Sequence, residues 1–187
     1  MIRSYINLIE RVQRETIASS SPAFGQWFSK SKAVNSDGTP AIMFHGTSAT
    51  FNSFKPMSHF GTEGAAQDRL KHLDAEGHVI GVHLSIQNPC RFVDNGWNHN
   101  IEAFLNDIGY CTQLFDEGIS DEGVIFDKLR QLKVKRVRSW APIIKFFMSE
   151  GFDGIHYVNR VEDSGSLSYA IFSPKQVWRI SQDTPDR

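Results

Sequence analysis

Apolar residues recur near the start of the chain at Ile2, Ile6, Ile9 and Val12, with Leu8 beside them and charges between. That spacing predicts an amphipathic helix from Ser4 to about Ala18. The Ser19-Ser20-Ser21-Pro22 stretch ends it and makes a linker. Phe24 to Lys32 reads as a short helical or irregular lead-in. Asn35-Ser36-Asp37-Gly38-Thr39-Pro40 is a turn by its chemistry, with Asp-Gly supplying the positive-φ position. Strands are expected on either side, Lys32 to Val34 and Ala41 to Phe44, the second delivering His45 at its C-terminal end.

Thr62 to Leu73 carries Ala65, Ala66, Leu70 and Leu73 at helical spacing behind a Thr62-Glu63 start signal. Val79 to Ile86 alternates apolar and polar as a strand does, and Asn88-Pro89 ends it. Ile101 to Ile108, Val124 to Leu132 and Trp140 to Glu150 read as helices, the last opened by Pro142 and closed by Gly151. Gly154 to Val158 and Ser168 to Phe172 read as strands around an Asp163-Ser164-Gly165-Ser166 turn, and Gln176 to Ile180 extends the sheet. Strand, helix, strand, several helices and a final run of strands make an α+β fold, without the regular alternation of a doubly wound one.

At 187 residues, 40% hydrophobic and 22% charged, the chain fits one ordinary domain with a short extra element. The division is residues 1–22 for the helix and linker and 23–187 for the domain. Twenty basic and 21 acidic residues leave a net charge of −1, which directs the chain as a whole to neither nucleic acid nor an anionic membrane. Arg3, Glu10, Arg11, Arg14 and Glu15 interrupt any signal-peptide core, and no apolar run approaches the roughly 20 residues of a membrane span. Cys90 and Cys111 lack metal-type spacing and are expected as buried thiols in a reducing cytoplasm, that of the protein's own cell or of a host.

The chemistry begins at Phe44-His45-Gly46-Thr47. A His followed by Gly on a strand places a polar ring beside bare backbone that a flat ligand can approach closely. Around it stand Trp27-Phe28-Ser29-Lys30-Ser31-Lys32-Ala33-Val34, the Gly38-Thr39-Pro40 turn, and Phe51-Asn52-Ser53-Phe54. Further on come Gly81-Val82-His83-Leu84-Ser85 with Asn88-Pro89, then Gly151-Phe152-Asp153-Gly154-Ile155-His156-Tyr157-Val158-Asn159. Ser168-Tyr169-Ala170-Ile171-Phe172 closes the series before Ser173-Pro174-Lys175-Gln176-Val177. In this order, over about Trp27 to Ile180, these segments resemble the ADP-ribosyltransferase domains of phage and plasmid polyvalent proteins, of the histidine-first class that includes diphtheria toxin and the poly(ADP-ribose) polymerases.

The resemblance implies a split β-sheet core with a helical insertion and a cleft for NAD, which is consumed as substrate. His45 would hold the adenosine-side ribose, and the Gly46 backbone would offer the nicotinamide carboxamide a donor and an acceptor at fixed spacing. Thr47 completes that motif. Where the family has a stacking Tyr, Ser58-His59-Phe60-Gly61-Thr62 presents His59, or Phe60 with a one-residue slip. Departure of nicotinamide leaves an oxocarbenium-like ribose that needs a carboxylate. The polymerases place that Glu just before a strand Tyr; here Ser168 precedes Tyr169, and a serine carries no charge. Asn159-Arg160-Val161-Glu162 resembles the Asn-x-x-Glu that related phage sequences carry together with a Ser-Tyr strand. The resemblance so implies Glu162 as the carboxylate, with Asn159, Ser168 and Tyr169 among the cofactor-binding residues. The expected activity is transfer of ADP-ribose to a macromolecular acceptor, a protein favoured over a nucleic acid. The alternatives are a weakened module that binds NAD or ADP-ribose, and an NAD glycohydrolase.

Lys133 to Trp140 holds the one basic cluster, read as a solvated face, and the seven His residues show no metal-ligand spacing. The N-terminal helix either packs on the domain or engages a partner.

Overall fold

The computed structural model describes residues 21–73, 76–94, 101–105 and 137–180. The expected helices at Ser4–Ala18 and Val124–Leu132, Cys111 and most of the basic cluster lie outside these residues. Among the described residues, two sheets and the helices packed on them give an α+β fold.

Helix α1 (Pro22–Phe28) opens the domain. Ser21 and Pro22, expected in the linker, start this helix instead: the Ser21 hydroxyl accepts the Phe24 N–H at 3.0 Å, and Pro22 sits in the first turn, where its missing N–H costs nothing. Phe24 and Phe28 are buried against Trp178, which ties the lead-in to the end of the sheet.

The first sheet holds β1 (Met43–Thr47), β3 (His78–Leu84) and β7 (Val177–Arg179) in the antiparallel order β1-β3-β7. The second holds β2 (His59–Phe60), β4 (Pro89–Val93), β5 (Gly154–Val158) and β6 (Leu167–Ile171) in the order β2-β6-β5-β4. Strands β4 and β5 run parallel. A parallel pair needs a long crossover, and residues 94–153 supply it. They include a helical stretch at 101–105 and helix α3 (Trp140–Ser149). Ile143, Ile144 and Phe147 of α3 join Phe104, Cys90, Phe92 and Ile155 in one core. A second core lies between the sheets, around Met43, Phe54, Phe60, Val82, Leu84, Tyr169 and Ile171.

Several boundaries differ from the pattern reading. Lys32 to Val34 forms only a bridge from Val34 to Pro40, because the turn closes at once through Asn35 N–H to Thr39 O and Ala41 N–H to Ala33 O. Gly38 does take the positive φ expected of it, +84°. Strand β1 runs on to Thr47, paired with His78, so His45 lies in mid-strand and not at its end. Pro89 starts a strand as well as following one: β4 is an edge strand, where a missing N–H is tolerated at the first position.

Helix α2 (Glu63–His72) is capped by Thr62, whose hydroxyl accepts the Ala65 N–H at 3.1 Å, and buries Ala65 and Ala66. It lies directly on β1. A Cβ at Gly46 would stand 2.1 Å from the Ala66 carbonyl oxygen, so glycine is required there for helix and strand to approach. Replacing Gly46 by Ala is expected to cost about 1–3 kcal/mol or more, because rigid backbone must yield. For a domain of this size that is a fall in Tm of about 2–4 °C per kcal/mol, readable by thermal unfolding; an unchanged Tm would contradict this packing.

Candidate active site

The two sheets meet at one point. Phe44 N–H donates to the Gly61 carbonyl at 2.8 Å and Gly61 N–H to the Phe44 carbonyl at 3.0 Å. Because the backbone alternates along a strand, Gly46 turns its N–H and C=O to the same edge as Phe44, away from β3. Beyond this bridge the sheets separate, and a cleft opens between them. Its lining includes His45, Gly46, His59, Gly61, Tyr157 and Glu162, and its volume is about 670 Å³ counted to the open mouth.

His45 Nδ1 lies 2.7 Å from the His59 carbonyl oxygen. A carbonyl only accepts, so Nδ1 carries the hydrogen and Nε2 of the neutral ring is an acceptor. Phe54 and Phe60 hold the ring at centroid distances of 5.2 and 5.5 Å. Burial, above all, keeps His45 below its ordinary value; the Arg69, Arg179 and His78 charges add to this, while the His59 carbonyl opposes it.

His59 is half-buried, and its Nδ1 is hydrogen-bonded to the Tyr157 hydroxyl at 2.7 Å, the rings meeting edge to face. Burial pushes the Tyr157 phenol up, with the Asp94 and Glu162 carboxylates adding to the effect, so it stays protonated. Phe60 pairs in register with Tyr169 and borders the cleft, but it is 1% exposed and its ring packs into the core. The ring beside the open space is therefore His59.

Asn159 sits at the end of β5, 3% exposed, and its side chain organises the turn that follows. Its Oδ1 accepts the N–H groups of Val161 and Glu162 at 3.0 and 2.9 Å. Its Nδ2 donates to Glu162 Oε2 and to Ser168 Oγ, each at 3.3 Å. The turn is fastened to α2 twice: the Thr62 hydroxyl donates to the Asp163 carboxylate, and Asp163 N–H donates to Asp68 Oδ2 at 3.1 Å. Glu162 is thereby held against the helix, with Oε1 3.7 Å from Arg69 Nη1.

Of the residues expected in the site, the structure brings His45, Gly46, His59, Phe60, Asn159, Glu162 and Ser168 to the cleft wall. It turns two elsewhere. The Thr47 hydroxyl accepts the Ala49 N–H at 3.1 Å and closes the strand end. Tyr169 faces the opposite side of β6 from Ser168 and donates to the Lys32 carbonyl at 3.1 Å. Arg69, Asp94 and Tyr157 line the cleft without having been singled out. Arg69 lies on the helical face of Ala65 and Ala66, which is the available signal for it. Tyr157 stands inside the quoted Gly-Ile-His-Tyr-Val-Asn segment, and Asp94 follows a strand the pattern did not reveal. Asp94, buried, accepts the Arg160 N–H at 2.7 Å and steadies the same turn.

The model of the family described as ADP-Ribosyltransferase in polyvalent proteins, ART-PolyVal, matches residues 35–187. The chain belongs to this family. No curated protein and no solved structure matches it. An ART-PolyVal domain thus accounts for most of the chain, from the Asn35 turn onward, and the cleft lies within the matched span. Among the described residues, no helix is long and apolar enough to cross a membrane.

His45 gives the site a pH signature. With a folded pKa below 6.5, the unfolded chain takes up this proton first as pH falls, so stability is full above about 6.5 and declines until the folded group also titrates. The stability difference between wild type and His45→Gln should shrink from pH 7.5 to pH 5 in urea unfolding. A difference independent of pH would mean that His45 titrates alike in both states.

Proposed function

We propose that the domain is an NAD-consuming ADP-ribosyltransferase that acts on a macromolecular acceptor, a protein in preference to a nucleic acid. The observation that supports it most is the convergence on one cleft of three groups with different tasks: a neutral imidazole acceptor, a bare strand edge and a tethered carboxylate. Family membership supports transferase chemistry in general; these groups fit the cleft to this particular dinucleotide.

The Nε2 acceptor of His45 suits a ribose hydroxyl, which donates to it. The Gly46 N–H and C=O suit a carboxamide, which needs one of each. His59, kept in orientation by the Tyr157 hydroxyl, offers an aromatic face to the nicotinamide ring. In the reaction the bond from ribose C1′ to the nicotinamide nitrogen breaks and its electron pair leaves with nicotinamide. A nucleophile of the acceptor then bonds to C1′ and gives up its proton. Positive charge develops on the ribose between these events, and Glu162 is the carboxylate placed to stabilise it. Its backbone is fixed by Asn159 before any charge develops, so little reorganisation remains to be made.

Incubation with NAD labelled on the adenylate side, in cell lysate, tests this. Label should appear on a macromolecule with release of nicotinamide. Glu162→Gln should lower kcat about 10²–10³-fold with NAD binding kept, and His45→Ala should weaken binding. Nicotinamide release without label would make the protein a glycohydrolase. Binding without turnover would leave a recognition module, and no binding of NAD in calorimetry would refute the reading.

A further inference from the structure

Arg69 is the one Lys or Arg among the described residues that line the cleft. It extends from the face of α2 that packs on β1, and it is a third exposed. Its Nη1 lies 3.7 Å from Glu162 Oε1, an ion pair longer than a good charge-assisted hydrogen bond and therefore readily exchanged. Its charge is also felt at His45, where it adds to the effect of burial. The guanidinium is thus within electrostatic reach of both the imidazole and the carboxylate. The rest of the described charge in the cleft is negative, Asp94 and Glu162. A doubly charged anion entering would meet two carboxylates, with Arg69 the one lysine or arginine among the described lining residues to offset them.

Resting on the NAD reading above, we propose that Arg69 is an exchangeable latch: it pairs with Glu162 in the empty cleft and passes to the diphosphate of a bound dinucleotide. Two consequences follow from that exchange. The cleft selects nucleotides that carry a diphosphate over phosphate-free nucleosides, because a planar guanidinium grips two phosphate oxygens at once and no other described lining residue supplies a fixed positive charge. The same movement releases Glu162 from its counter-ion, so the carboxylate reaches full strength only when the diphosphate is seated. Arg69 is on this account a positioning and specificity residue, acting through Glu162 and not on the reacting carbon.

The test compares ADP with adenosine, two probes that share the adenosine end and lack the nicotinamide ribose. Wild type should bind ADP about 10- to 100-fold more tightly than adenosine, the range for one bidentate charged contact. In Arg69→Gln that ratio should collapse toward unity while adenosine binding and the melting temperature hold. Arg69→Lys should restore part of it. Glu162→Gln removes the latch partner and should raise the ratio, a response that a purely structural role for the pair would not give. A ratio preserved in Arg69→Gln overturns the proposal alone, provided that wild type binds NAD. A wild type that binds neither NAD nor ADP overturns both the proposal and the NAD reading.

Discussion

The histidine side of the cleft is placed by the pair of hydrogen bonds between Phe44 and Gly61. They join an otherwise complete antiparallel sheet to an otherwise complete mixed one, and they do so at a single bridge. Were the pairing to continue, Gly46 would bond to a neighbouring strand and the space beside it would close. Because it stops, the next outward-facing backbone groups of β1 meet the cleft, and the strand that ends at Phe60 brings the His59 carbonyl to the His45 ring. One local contact therefore sets the strand edge, the imidazole tautomer and the position of the second histidine together. Glycine at 61 is part of the same constraint: a Cβ there would lie 2.7 Å from Ser168 Oγ and 3.0 Å from the Ala65 Cβ.

The second organising element is the turn after β5. Its polar contacts look ordinary taken singly, at about 0.5–1.5 kcal/mol each, but they share one side chain. Asn159 receives two backbone N–H groups through one oxygen and donates through its nitrogen to Glu162 and Ser168. Asp163 then fixes the far side of the turn to α2 through Thr62 and Asp68. The helix that demands glycine at position 46 is thus also the helix against which Glu162 is held. Packing at one face of α2 and polar anchoring at its start are coupled, and displacement of α2 would disturb the strand edge and the carboxylate at once.

Much of this was legible in the sequence, though unevenly. Helix α2, helix α3 and strand β5 follow from apolar spacing and capping residues, because their cores are built from neighbours on one face. The two-residue strand β2 was not visible as a pattern, since its pairing with β6 is set by residues more than a hundred positions away. Strand β4 was hidden by Pro89, which reads as a stop unless the strand is known to lie at an edge. The site divides in the same way. His45, Gly46 and Glu162 could be singled out from motif order, whereas Arg69, marked only by the helical face of Ala65 and Ala66, and Asp94 stand in no motif and enter because tertiary packing folds their elements over the cleft. Tyr169 shows the converse: it adjoins Ser168 in a telling motif, yet strand alternation sends it to the other face.

The same packing explains why the carboxylate would come from a turn and not from the strand. Position 168 is 1% exposed, with the Asn159 amide at 3.3 Å on one side and the Gly61 backbone on the other. A glutamate there would need space that β2 occupies. It would also place a third negative charge beside the Tyr157 phenol, where Asp94 and Glu162 already act. Burying such a group unpaired would raise its pKa toward neutrality and weaken the charge it was meant to supply. Glu162, reaching in from the turn with its side chain 18% exposed and a guanidinium within 3.7 Å, avoids that penalty. A small hydroxyl in the strand and a carboxylate on the turn are thus two halves of one arrangement: the serine leaves the room, and the turn brings the charge.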